Sequence, residues 1–292
     1  MLIQRIDHVQ VTVPLLEAAA GPFGRLGLVM TPVTAHRGTG TANTVFFAGE
    51  GEAEFYVELL AVVDEQAAST SETGRRVMRQ VAPGGGLCRL LLNVASMSET
   101  ASALSRSGLA IHPYDAFAAD GRKISTAAAL PAAGPGFEVA LVEYPEDLAA
   151  RRERHARAGL FDHTFPLKRL DHLAAITHDL EGATRWWSEV LGVPVVGEIA
   201  TPMVTIRQLR MGDAILELLA AGSPESPLAA RPPGLASMVA FEVGDLESAV
   251  SLARERGFSP SSPEAGAIPG TRRTTIPASE LSGLSLQLLE YV

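Results

Sequence analysis

The sequence predicts an α+β fold built from four copies of one strand, helix and several strands unit, two copies in each half of the chain. Three observations carry this. The segment Ile6-Asp7-His8-Val9-Gln10-Val11-Thr12-Val13 is repeated as Leu170-Asp171-His172-Leu173-Ala174-Ala175-Ile176-Thr177. Tyr56-Val57-Glu58-Leu59-Leu60-Ala61 is repeated as Ile215-Leu216-Glu217-Leu218-Leu219-Ala220, and the half-ending run from Gly136 to Tyr144 aligns without a gap on Gly283 to Tyr291. Between these anchors, Leu90 to Val94 followed by a helical stretch to Gly108 matches Val239 to Val243 followed by a stretch to Gly257, so each half contains two similar units.

In chain order, the first strand covers the Ile6 to Val13 run, and a helix over Leu15 to Gly27 is expected to be weak because Gly21-Pro22 interrupts it. A glycine-rich segment, His36 to Asn43, leads either as a ligand-facing loop or as a simple turn into a strand at Thr44 to Phe47. The fourth-strand run around Glu58 follows, and the second unit starts near Arg89. Glu146 to Arg157 is charged and helix-prone, and Gly159 to Pro166 breaks the pattern. This reading gives a first domain over 1–150, a linker over 151–166 in which His155 and His163 are solvated, and a second domain over 167–292. In the second half, Leu180 to Gly192 and Leu246 to Gly257 read as amphipathic helices ending at glycine caps. Trp186 and Trp187 read as helix packing, with one of them lining the cup as the alternative. Arg122 and Lys123, matched by Arg272 and Arg273, read as solvated strand-edge charges, the alternative being that they hold an anionic substrate.

A chain of 292 residues with 47% hydrophobic content is long enough for two cores. Its net charge of −9 argues against nucleic acid or an anionic membrane as the main partner. No apolar stretch approaches the ~20 residues that a membrane span needs, and no leader pattern opens the chain, so a cytoplasmic protein is expected, as monomer or homodimer. The single cysteine, Cys88, excludes a disulfide framework and a thiolate metal site and reads as a buried structural thiol. No Ser/His/Asp or Cys/His constellation for nucleophilic catalysis can be assigned.

Strand alternation sorts the candidate residues by face. Val9, Val11 and Val13 form an apolar face, leaving His8, Gln10 and Thr12 on the other; Phe55, Val57 and Leu59 leave Glu54, Tyr56 and Glu58 opposite. His8 and Glu58 are therefore compatible with one concavity, and His172 and Glu217 with a second. The same logic adds Arg89, Leu91, Asn93 and Ala140 in the first half, and Met238, Ala240, Glu242 and Gln287 in the second.

The paired units, with Leu170-Asp171-His172 leading into Asp179-Leu180-Glu181 and Trp186 to Gly192, resemble the vicinal oxygen chelate superfamily, which includes glyoxalase I, methylmalonyl-CoA epimerase, extradiol dioxygenases and bleomycin-resistance proteins. The second half is most similar to the epimerase and glyoxalase branch, through Gly212 to Leu218 and Val239 to Val243. The first resembles glyoxalase-like domains through His36 to Asn43. The resemblance implies four βαβββ modules forming two open eight-stranded cups with flanking helices, each cup offering four positions for a divalent metal. Carried over, these are His8, Glu58, Arg89 and Ala140 in the first half. Arg89 is a permanent cation and Ala140 has no donor, so no metal is expected there and an Arg89–Glu58 ion pair is expected instead. In the second half they are His172, Glu217, Met238 and Gln287, of which His172, Glu217 and Gln287 can ligate Zn, Ni, Mn, Mg or Fe.

The implied activity is glyoxalase or epimerase-type lyase or isomerase chemistry on a substrate with adjacent oxygens. In it a metal stabilises an enediolate while Glu217, with His172, moves the proton. The alternative is a metal-free small-molecule binding protein of the antibiotic-sequestering kind. An extradiol dioxygenase is disfavoured, since Met238 and Gln287 stand where iron ligands are needed. Substrate contacts are expected from His8, Glu58, Arg89, Tyr56, His36, Asn43 and Met238, with the chemistry in the second half.

Overall fold

The computed structural model describes residues 2–50, 54–132 and 134–292. Two eight-stranded sheets carry the fold. The first contains β1 (Ile3–Thr12), β2 (Thr34–Ala35), β3 (Thr41–Ala48), β4 (Phe55–Val62), β5 (Gly86–Val94), β6 (Tyr114–Phe117), β7 (Lys123–Ala129) and β8 (Glu138–Glu143), in the order β2-β3-β4-β1-β5-β8-β7-β6. The second contains β9 (Leu167–Ile176), β10 (Val195–Ala200), β11 (Val204–Met211), β12 (Ala214–Ala221), β13 (Gly234–Val243), β14 (Glu264–Ala265), β15 (Thr271–Ile276) and β16 (Ser285–Tyr291). Their order, β10-β11-β12-β9-β13-β16-β15-β14, is the same. The first strand of each module pairs parallel with its last, β1 with β4 and β9 with β12, and the two modules of a sheet meet through β1–β5 and β9–β13, which are antiparallel. The α+β arrangement of four βαβββ modules in two open curled sheets is thus the one that the repeats predict.

One helix of each module packs on the apolar faces. Helix α1 (Leu16–Leu26) runs through Pro22 without a break, contrary to the weak helix expected. Leu16, Ala19, Phe23 and Leu26 lie on one buried stripe, and tertiary burial of that stripe outweighs the hydrogen bond that the proline removes. In the second half, α6 (Leu180–Arg185) gives way to a π-helical turn over Trp186–Val190. That turn seats Trp187 fully buried in the core, with its ring 6.1 Å from Phe137 of the first half. Helices α4 (Met97–Arg106) and α7 (Leu246–Glu255) occupy equivalent places in their modules.

Two helices fall outside the repeat. Between β4 and β5 the chain forms α2 (Glu65–Thr70) and α3 (Glu72–Val81), whereas the corresponding link after β12 has no helix. Each is started by a side chain that accepts from the first turn: Asp64 from Ala67 N at 3.0 Å and Ser71 from Gly74 N at 2.8 Å. Gly40 permits the close approach of this insert, since it adopts φ 67° and a Cβ there would lie 2.3 Å from Ala68 N.

One apolar cluster joins both halves. Val9, Val11, Phe46, Phe55 and Leu90 belong to it together with Leu173, Trp187, Val239 and Phe241, and Phe241 lies 5.9 Å from Phe55 and 6.1 Å from Phe46. The apolar faces of the sheets therefore share a core, and the polar faces line separate concavities. Among the described residues no helix is long and apolar enough to cross a membrane.

Candidate functional site

The concavity of the first sheet encloses a cavity of about 440 Å³. Its wall includes His8 and Gln10 from β1, Asn43, Val45 and Phe47 from β3, Tyr56 and Glu58 from β4, and Arg89 and Leu91 from β5. His36 forms a backbone bridge with Ala118, and Arg37 N donates to Phe117 O at 3.2 Å, so the two open edges of the sheet are tied across the mouth. His36 thus both lines the cavity and fixes its rim, and its Nδ1 sits 3.0 Å from Thr41 Oγ1. Asn43 is on a strand and not in a loop, because β3 starts at Thr41, three residues earlier than the sequence suggests.

The buried centre of this cup is a hydrogen-bonded quartet. His8 Nδ1 donates to Asp7 Oδ1 at 2.7 Å, Tyr144 OH donates to the same oxygen at 2.7 Å, and Tyr56 OH reaches Tyr144 OH at 2.9 Å. Tyr56 also stacks on the imidazole, with 4.1 Å between ring centroids, as its pairing opposite His8 allows. The other Asp7 oxygen accepts from Arg5 at 2.8 Å and from Arg151 at 3.4 Å. Burial opposes ionisation of Asp7, but the His8 hydrogen bond and the two guanidiniums outweigh it and hold its pKa well below the usual carboxylate range.

Simple alternation puts Asp7 on the core face beside Val9. The structure explains why it is not there. The β1–β5 register shifts between Ile6 and His8, and the β9–β13 register shifts between Leu170 and His172, so each half carries a bulge at its Asp-His pair. A bulge re-aims one side chain, and here it brings the aspartate to its own histidine on the concave side. In the second cup His172 Nδ1 donates to Asp171 Oδ1 at 2.7 Å, and Tyr291 OH donates to Asp171 Oδ2 at 2.6 Å. The sequence contained the signal, since the aspartate before each histidine and the tyrosine ending each half are both repeated.

Glu58 is fully engaged. Its Oε2 accepts from Gln10 Nε2 at 2.8 Å, its Oε1 accepts from Asn43 Nδ2 at 2.7 Å, and His8 Nε2 stands 3.5 Å from Oε2. Burial raises the pKa of Glu58, yet His8 and the amides bring it down to about 2. Burial likewise opposes charge on His8, but its bonds to Asp7 and the nearby Glu58 raise its pKa above the ordinary histidine value. The expected Arg89–Glu58 ion pair is not formed. Gln10 and Asn43 already satisfy the carboxylate, and the Arg89 guanidinium points towards Glu138, with Nε 4.0 Å from its Oε2. Leu91, Ala140 and Val142 pack together in a small apolar cluster.

The second cup is built differently around the same pair. His172 Nε2 lies 3.8 Å from Glu217 Oε2, and Glu217 Oε1 accepts from Gln208 at 3.0 Å. Ala174 stands where the first cup has Gln10, and Ile215, opposite His172, stands where it has Tyr56. The hydrogen bond to Asp171, with the charge of Glu217, raises the His172 pKa against the effect of burial. Gln287 is buried and Met238 half-buried; in the sheet register Ala240 lies beside both His172 and Gln287, and Met238 is two residues along. Glu217 and Gln287 are therefore on the second sheet with His172, away from the cavity that holds His8, Glu58, Arg89, Tyr56, His36 and Asn43.

A metal fits the two cups unequally. Among the described residues no three His, Cys, Asp or Glu side chains cluster as a metal site. In the first cup both oxygens of Glu58 already accept from amides, Oε2 from Gln10 and Oε1 from Asn43. The second leaves His172 Nε2 and Glu217 Oε2 without amide partners, so His172, Glu217 and Gln287 are the side chains that would hold an ion there.

Two expectations about the linker fail. Helix α5 (Leu148–Arg157) packs on the first cup: Arg151 is 4% exposed, its Nε donates to Glu54 Oε1 at 2.7 Å, and its guanidinium lies 3.7 Å from the centre of the Tyr144 ring. His155 is not solvated, since its Nδ1 bonds Glu54 Oε2 at 2.9 Å. Nor is His163, which accepts from Val29 N at 2.9 Å and donates from Nε2 to Phe47 O at 2.5 Å. Local composition reads as solvent-exposed here because the partners, Glu54, Val29 and Phe47, lie more than 90 residues away in sequence. Cys88 is only half-buried and donates to Gln10 O at 3.3 Å, and burial pushes its thiol up to about 11.

Paired βαβββ modules curled into cups, with histidine from the first strand facing glutamate from the fourth, define a protein of the vicinal oxygen chelate class. Residues 6–169 match the model of the glyoxalase-like domain and residues 171–274 that of the glyoxalase/bleomycin resistance protein/dioxygenase superfamily, and the chain belongs to the glyoxalase-like family. Among solved structures, a mutant 4-hydroxymandelate synthase from Streptomyces coelicolor is similar over 100% of this chain and 93% of its own, with 15% identity and a TM-score of 0.70. A hypothetical protein from Staphylococcus aureus is similar over 98% of both chains, with 11% identity and a TM-score of 0.66. Methylmalonyl-CoA epimerase from Mycobacterium tuberculosis covers 44% of this chain and 91% of its own, with 24% identity and a TM-score of 0.41. At these identities the likeness is one of fold. A search of curated proteins finds no match.

Proposed function

We propose that the protein binds a small organic molecule in the first cup by direct side-chain contacts, with no metal between ligand and protein. The observation that carries this is the state of Glu58. The carboxylate aligned with the family's metal ligand accepts from Gln10 and Asn43 and is faced by His8 in a cavity of about 440 Å³, a volume suited to a small ligand. His8, buried and with its pKa raised by Asp7 and Glu58 against the effect of burial, serves as a hydrogen-bond or proton donor at the floor. Glu58, held ionised far below neutral pH, is a weak base and acts as its counter-charge.

A second reading, metal-assisted isomerase or lyase chemistry in the second cup, is favoured by the open His172 Nε2 and Glu217 Oε2. A divalent ion bound there would polarise adjacent substrate oxygens as a Lewis acid. Glu217 and His172 would then be the groups that move a proton, with Met238 beside the substrate.

Calorimetric titration of the full chain with Zn²⁺, Mn²⁺ and Ni²⁺ tests both readings. The first expects His8→Ala to leave any metal binding unchanged, and a metal site lost with His8 overturns it. The second expects binding that His172→Ala abolishes and Met238→His strengthens, because an imidazole supplies a further donor. Indifference to both substitutions overturns the second.

A further inference from the structure

The first cavity carries a charge opposite to that of the chain. The sequence has a net charge of −9. Yet among the described residues seven arginine and lysine side chains line the cavity against three carboxylates, so its field favours anions. Four of these cations are answered locally. Lys123 pairs with Asp115 at 2.8 Å, Arg154 with Glu146 at 2.8 Å, Arg151 with Glu54 at 2.7 Å, and Arg122 lies 3.9 Å from Asp120. Arg37 is exposed to solvent.

Arg76 and Arg89 are set apart from these five. They share one carboxylate, Glu138, at 3.6 Å and 4.0 Å, beyond hydrogen-bonding distance in both cases. Arg89 is 6% exposed, its Nε has no hydrogen-bond partner, and neither has the Glu138 Oε2 that faces it. The two terminal nitrogens of Arg76 donate only to neutral amide oxygens, Gln80 Oε1 at 3.1 Å and Gln10 Oε1 at 3.2 Å. Two guanidiniums against one carboxylate leave one positive charge uncompensated in a desolvated wall, an arrangement that is costly unless an anion completes it. Both guanidiniums line the cavity, and Glu138 does not.

We infer that Arg76 and Arg89 form a carboxylate subsite, and that the ligand of the first cup is an organic acid with a compact apolar body. This rests on the first-cup reading above and adds the ligand's chemical class. The planar fork of a guanidinium matches a carboxylate in two parallel hydrogen bonds. A monoanion balances the single excess charge, whereas a phosphate would bring a second negative charge up to Glu138. Leu91, Val45, Phe47 and Phe117 supply apolar wall for the rest of the molecule.

The test uses benzoate, phenylacetate and hexanoate, each against its own primary amide, titrated calorimetrically into the full chain. The acids are expected to bind on the order of tenfold tighter than the amides. Arg89→Gln and Arg76→Gln should each remove most of that preference, and Glu138→Gln should tighten binding of the acids by removing the competing carboxylate. Arg76 and Glu138 are more exposed than Arg89, so their variants carry the test if Arg89→Gln fails to fold. Equal binding of acid and amide, no binding of either, or weaker acid binding by Glu138→Gln overturns the subsite. Ala116→Trp, which fills the cup from β6, separates the two levels of the reading. A preference lost in Ala116→Trp and kept in both arginine variants overturns the subsite alone, and acid binding unaffected by Ala116→Trp overturns the first-cup reading along with it.

Discussion

Two carboxylates, Asp7 at Nδ1 and Glu58 beside Nε2, favour the protonated form of His8, and that arrangement fixes how it responds to pH. Its folded-state pKa is raised above the ordinary value of 6.5, so its contribution to stability is complete below about 6.5 and disappears as pH rises through the raised value. Glu58 acts in the opposite sense: with its pKa lowered from 4.5 to about 2, its contribution is present above 4.5 and is lost as pH falls. The pair therefore stabilises most between about pH 4.5 and 6.5. His8→Gln should lower stability by roughly 1–3 kcal/mol in that window, the value of a hydrogen bond to a charged group, and by progressively less in alkaline solution. Thermal melts of both proteins across the pH range check this, and a deficit that grows towards high pH contradicts the assigned charge. Legibility at this scale was uneven. His8, Tyr56 and Glu58 were found by alternation, which assumes an unbroken strand. Asp7 was missed because a bulge breaks the alternation at that residue, and Arg76 because it comes from outside the repeat.

Helix α5 shows what one element adds to a site. Charged composition alone describes a solvated connector, but Arg151 enters the first cup and bridges Asp7 and Glu54, while His155 takes the remaining Glu54 oxygen. Arg5 holds the other end of the network, through Asp7 and the backbone oxygen of Glu54. Arg151→Ala strands buried carboxylates and should cost about 3–5 kcal/mol. Arg151→Lys should recover little of it, since an ammonium lacks the fork that reaches two acceptors and the plane that stacks on Tyr144. Denaturant unfolding of the two variants measures the difference, and full rescue by lysine would reduce the network to a simple charge effect. Insert α2–α3 works in the same way, bringing Arg76 to the cavity of one half only.

At the scale of the molecule the apolar faces of the sheets form a single core, with Phe241 of the second half packed against Phe46 and Phe55 of the first. The halves should therefore unfold in one cooperative transition despite their separate sheets. Phe241→Ala should destabilise that transition by about 3–5 kcal/mol. Calorimetry, together with near-ultraviolet signals from Trp186 and Trp187 in the second half and hydrogen exchange on β1 and β4 in the first, tells one transition from two. Independent melting of the halves would show that their contact is too weak to couple them.

Repetition in the sequence determined the architecture: four modules, the two sheets, and the strand positions of His8, Glu58, His172 and Glu217 follow from a pattern that period-2 burial imposes on any stable copy. Tertiary structure decided how the first cup encloses its cavity. The concave faces share a histidine and a glutamate at matching positions, and the first is completed by contacts that no local pattern encodes: the bridge from His36 to Ala118 across the rim, the amides of Gln10 and Asn43 on Glu58, and Arg76 arriving from an inserted helix. These pairings span up to 82 residues of chain, and only packing brings them together.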